Sequence, residues 1–80
     1  MIGLKVINHN RSCYGEERYF NPSTILMVLD GTQNIGGVHY VEILFSAEVR
    51  ELLPKDRNGL VAVEGKYRDV LKIIEEGDAE

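Results

Sequence analysis

His9, Cys13 and His39 are the soft metal ligands of this sequence. A zinc site needs four ligands at fixed geometry, or three and a water. His9 and Cys13 share one turn-like segment, His39 lies in a distant strand-like one, and Glu16 or Glu17 would have to complete the set. So placed they read as ordinary turn and strand residues, and neither a metal nor a cofactor is expected. As a nucleophile, Cys13 would need a base within hydrogen-bond reach and a lowered thiol pKa, and neither a motif nor a helix start stands at that point. Ser12, Ser23 and Ser46 lack the G-x-S-x-G setting of an exposed nucleophile, and Ser46 is accounted for as a helix cap. Glu42 reads as a carboxylate on the solvated face of a sheet rather than a buried acid of raised pKa. The segment Gly31 to Gly37 carries two glycines of the phosphate-binding pattern G-x-x-x-x-G-K-[ST]. Gly37 and Val38 stand where its lysine and hydroxyl belong, and a strand follows instead of a helix. No catalytic site emerges, and the chain is expected not to be an enzyme.

Arg11, Tyr14, Arg18, Tyr19 and Phe20 interleave basic and aromatic residues over ten positions. Two chemistries use that mixture. Single-stranded nucleic acid stacks its bases on rings beside positive charge. Protein interfaces concentrate their binding energy in Tyr and Arg. Glu16 and Glu17 sit among the arginines, and the formal net charge is −4. The last six residues hold four of the thirteen acids; the body before them carries nine acids and nine bases. A neutral body lacks the clustered cations that broad nucleic-acid binding relies on. The reading is therefore a non-enzymatic interaction module whose partner is a protein, first of all a second copy in a homodimer. Single-stranded nucleic-acid binding through the Arg11 to Phe20 hairpin is the alternative.

The elements that must carry these residues follow from periodicity. Ile2, Leu4 and Val6 alternate with Gly3 and Lys5, as in a half-buried strand. Asn8 to Gly15 is turn-like, and Glu17 to Phe20 returns as a second strand that Asn21-Pro22-Ser23 stops. Thr24 to Leu29 is continuously apolar, which predicts a strand covered on both faces. Asp30 to Gly37 reads as a flexible loop. Val38 to Phe45 is the longest strand, with His39, Val41, Ile43 and Phe45 on one face. Ser46 opens a helix of about two turns that Pro54 closes, with Val49, Leu52 and Leu53 as its apolar stripe. Lys55 to Gly59 is a charged turn, and Leu60 to Val63 a brief strand. From Lys66 the period is helical, with Tyr67, Val70, Leu71 and Ile74 on one face, Ile73 at its margin, and Gly77 as the stop. The class is α+β: a four- or five-stranded, mainly antiparallel sheet with a short internal helix and a C-terminal amphipathic helix packed on one face. Residues 1–76 form one domain and 77–80 an acidic frayed tail.

Eighty residues with one cysteine cannot form an internal disulfide. A core of this size supplies only about 3–5 kcal/mol, so self-association is the most accessible further source of stability. The opening residues are too short for a signal peptide and no stretch approaches a membrane span, so a cytoplasmic protein without a membrane partner is expected. The chain opens Met1-Ile2 into a strand, passes through Asn21-Pro22-Ser23-Thr24-Ile25, and ends with Val63-Glu64 followed by Val70 and Ile73 in a helix. Over about half its length this pattern resembles small flagellar proteins of the FlbD or SwrD type. The glycine loop and the helix from Ser46 to Leu53 are additions to that pattern. The resemblance implies an accessory role near the flagellar motor, exercised by protein contact and without catalysis; a phage-encoded or orphan bacterial accessory protein would look equally like this.

Overall fold

The computed structural model describes residues 1–8 and 14–78. His9, Arg11 and Cys13 therefore lie outside the described residues.

Strand β1 (Ile2–Ile7) pairs antiparallel with β2 (Gly15–Phe20), in register from Ile2↔Phe20 to Ile7↔Gly15. Alternation sends Ile2, Leu4 and Val6 to one face, where all three are buried. Asn21 then halts the chain. Its side-chain oxygen accepts from the Ser23 amide at 3.1 Å and caps a 3₁₀ turn at Pro22–Thr24. Next come β3 (Ile25–Val28), β4 (Gln33–Ile35), β5 (Val38–Phe45), helix α1 (Ala47–Arg50), β6 (Val61–Glu64) and helix α2 (Tyr67–Asp78). The sheet order is β2-β1-β6-β5-β3, with β4 also lying against β5, and every pairing is antiparallel.

The architecture is α+β, with six strands among the described residues where the sequence predicts four or five. The additional strand is β4, which falls inside the expected loop. Gly36 and Gly37, at φ 56° and 82°, form a two-residue turn that joins Ile35 to its partner Val38. Left-handed φ at both central positions matches the twist of a hairpin, and glycine takes it without steric cost. The Asn34 side chain accepts from the Gly37 amide at 3.2 Å and holds the turn. The rest of the loop is pinned as well: the Thr32 hydroxyl accepts from the Tyr67 amide at 3.0 Å, so it caps the start of α2 from 35 residues away. The residue pattern that resembles a phosphate loop thus serves a hairpin and a helix cap.

Three further expectations are corrected. The apolar run Ile25–Val28 is not covered on both faces. It lies at the edge of the sheet, with Leu26 63 % and Met27 51 % exposed. The internal helix makes one turn, not two. Ser46 occupies its N-cap without a side-chain bond, and beyond Arg50 the backbone tightens through Leu52 N–H to Val49 C=O at 3.1 Å and Leu53 N–H to Arg50 C=O at 3.3 Å. Of its expected stripe, Leu53 is buried and Val49 packs on the core, but Leu52 is exposed. Helix α2 does not stop at Gly77; it runs through that residue to Asp78.

One face of the sheet builds the core. Val41, Ile43 and Phe45 of β5 and Val61 and Val63 of β6 are each fully excluded from solvent. Tyr67, Val70 and Ile74 of α2 lie over them, with Leu71 half-buried outside that cluster. Burying each such side chain stabilises the fold by about 1.5–3 kcal/mol. No helix among the described residues is long and apolar enough to cross a membrane.

Candidate functional site

The residues singled out in the first hairpin do not form one patch. Arg11 lies outside the described residues. Tyr14 and Tyr19 are exposed, at 67 % and 65 %. Phe20 turns inward: its ring centroid is 4.8 Å from that of Phe45, tilted by 36°, and it is buried in the core. The last β2 residue faces the core because it pairs with Ile2, whose side chain points the same way. Tyr19 lies over Gly3, where the missing Cβ leaves room for its ring. Its hydroxyl is hydrogen-bonded to the Glu17 carboxylate, and that bond together with the negative charge raises the phenol above its ordinary pKa. Arg18, between them, is exposed.

The two sheet edges differ in chemistry. Strand β2 presents Glu16, Glu17 and Arg18, the charged residues that keep an edge from pairing with another chain. Strand β3 presents no charge from Thr24 to Leu29. Its register with β5 shifts between Ile25 and Met27, so that Leu26 leaves the ladder while Met27 resumes pairing at Leu44. The bulge turns an apolar side chain to solvent where a guarded edge would place a charged one. Periodicity does not distinguish these cases, since an apolar run looks alike in a covered strand and in a bare edge.

On the face of the sheet opposite the core, the pairings set Ile7 beside Ala62 and Ala62 beside Glu42. Ile7 and Ala62 are buried although they do not belong to the main core cluster. They form part of the lining of an open cleft of about 890 Å³, shared with the connection between α1 and β6. Leu60 adds to the apolar lining, and Arg18, Lys55 and Arg57 bring three cations. Two acids, Glu42 and Asp56, complete the charged lining.

Asp56 organises that connection. Its Oδ1 accepts from the amides of Leu60 at 2.9 Å and Asn58 at 2.8 Å. These bonds, led by that from Leu60 and joined by a side-chain hydrogen bond with Glu42, hold its carboxyl below the usual carboxylate pKa. A carboxylate with a depressed folded pKa stabilises the fold above its unfolded pKa, and this contribution is lost as pH falls through the folded value. Asp56→Ala therefore lowers stability at pH 7, by about 1 kcal/mol or less because the site is exposed. Thermal melts of the two proteins should converge as the pH is lowered through the acidic range. A gap that persists unchanged at low pH would mean that the charge of Asp56 is not what holds the turn.

Among the described residues no group of three or more His, Cys, Asp or Glu is arranged to hold a metal ion. His39 is exposed on β5, and its two expected companions lie outside the described residues. Lys5 Nζ pairs with Glu64 at 3.7 Å on the outer face. Compared with known proteins, the chain matches no protein-family model, no curated protein and no solved structure.

Proposed function

We propose that this protein is a non-enzymatic interaction module that self-associates as a homodimer through the β3 edge. The observation that supports it is the apolar, uncharged run Ile25–Leu29 at the edge of the sheet, with Leu26 and Met27 exposed there. A two-fold axis near Met27 would lay this strand antiparallel against its own copy. With no charged residue in the run, no like charges meet across that axis, and the unpaired backbone groups of both edges gain partners. A contact of four or five residues per chain is small, which suits a reversible accessory role rather than an obligate dimer. An accessory role by protein contact is also what the resemblance to small flagellar proteins implies.

Size exclusion with light scattering over a range of concentrations tests this reading. The protein should run as a dimer that dissociates on dilution, and Met27→Lys should weaken it about tenfold or more by placing two ammonium groups against each other. Arg18→Glu with Tyr19→Ala should leave the dimer intact; its loss in that variant would move the interface to the first hairpin. A monomer at all concentrations that carries absorbance at 260 nm, removed by added salt, would replace this reading with nucleic-acid binding.

A further inference from the structure

The cleft on the outer face has a charge pattern that self-association does not use. Asp56 accepts from two backbone amides and has Glu42 beside it, and the three cations Arg18, Lys55 and Arg57 outnumber these two acids. Lys55 also donates from its Nζ to the Arg50 carbonyl at 3.3 Å. Arg18 from β2 and Arg57 from the connection make no ion pair or side-chain hydrogen bond among the described residues. Arg18 and Arg57 thus line a cleft in which cations outnumber carboxylates by three to two. Beneath them lies an apolar floor, where Ile7 and Ala62 are buried and Leu60 is half-buried. The cleft volume of about 890 Å³ lies within the range of small-molecule sites, roughly 300–1,000 Å³.

We infer that this cleft binds a small amphipathic carboxylate, its head against Arg18 and Arg57 and its short hydrocarbon body on Ile7, Leu60 and Ala62. A guanidinium presents paired N–H donors in the plane that a carboxylate accepts, which a bare ammonium cannot match. The apolar floor gains from a hydrocarbon body and offers nothing to a fully hydrated ion. This separates the site from one for inorganic phosphate, which the same arginines alone would hold. The inference stands whether or not the β3 edge pairs two copies.

Amide chemical shifts of the full ¹⁵N-labelled chain, followed during titration at constant ionic strength, test the site with three probes. Sodium hexanoate carries both head and body, sodium phosphate only the charge, and 1-hexanol only the chain. Hexanoate should move the amides of Ile7, Leu60 and Ala62 saturably, and Arg18→Gln with Arg57→Gln should weaken it about tenfold. Lys72→Gln, on the exposed side of α2, should leave the titration unchanged. If the paired substitution disturbs the fold, each single variant is read separately and should give part of the loss. Equal binding of phosphate or of hexanol at these amides overturns the inference. So does a hexanoate titration that moves none of them, or one insensitive to both arginines.

Discussion

Replacing Phe45 with alanine should leave the chain largely unfolded at room temperature. Phe45 is the largest of the fully buried side chains, and its ring meets Phe20 at 4.8 Å. Removing such a ring costs about 3–5 kcal/mol, since the cavity left behind adds to the lost transfer free energy. The whole net stability of a domain this size is about 3–5 kcal/mol, so one substitution consumes most or all of it. Few neighbours can close the gap. Val41 and Ile43 are fixed on the same strand, and β5 is held on one side by β6 and on the other by β3 and β4. Phe45→Leu keeps most of the volume and should cost only about 1–1.5 kcal/mol, leaving a cooperative transition at lower temperature. Circular dichroism and the dispersion of methyl resonances distinguish the two variants. A Phe45→Ala protein that melts cooperatively within a few degrees of the parent would mean that the sheet is held elsewhere than at this face.

The parts legible in the sequence are those that periodicity governs. Alternation in Ile2–Val6 and Val41–Phe45 identifies the core face, because successive strand residues point oppositely and only one side is buried. The 3.6-residue pattern of Tyr67, Val70 and Ile74 identifies the face of α2 for the same kind of reason. What periodicity cannot see is position within the sheet. Ile25–Val28 is apolar throughout, but whether a second strand covers it depends on which elements lie alongside, and that is a matter of topology. Polar Gln33–Ile35 carries no strand signal; it becomes a strand because the glycine turn folds it onto β5. The cleft is less legible still. Arg18 and Arg57 lie far apart in sequence, and Asp56 reads only as part of a charged turn until its bonds to Asn58 and Leu60 are seen. In the first hairpin the residue types suggest one surface, whereas the pairing Ile2↔Phe20 assigns Phe20 to the core.

Helix propensity and packing make opposite predictions for Gly77→Ala, and packing should win. Glycine within a helix is less favourable than alanine by about 1 kcal/mol, so propensity alone has the variant melting higher. Here, however, the last turn of α2 rests on the start of β1. A Cβ at position 77 would land on Cγ2 of Ile2 and come within 3.4 Å of the Pro22 ring. Neither neighbour moves freely: Ile2 is buried and paired with Phe20, and Pro22 belongs to the capped 3₁₀ turn. Overpacking of this kind costs about 1–3 kcal/mol, and the contact falls near the upper end of that range. The net expectation is a loss of about 2 kcal/mol, or roughly 8–16 °C in Tm for a domain of this length. Ile2→Ala removes the obstructing methyl group and is itself costly, but adding Gly77→Ala to it should then cost nothing or stabilise. That reversal of sign in a double-mutant cycle isolates the contact from any general effect on the helix. A higher Tm for Gly77→Ala alone would mean that the end of α2 is not seated on β1 in solution.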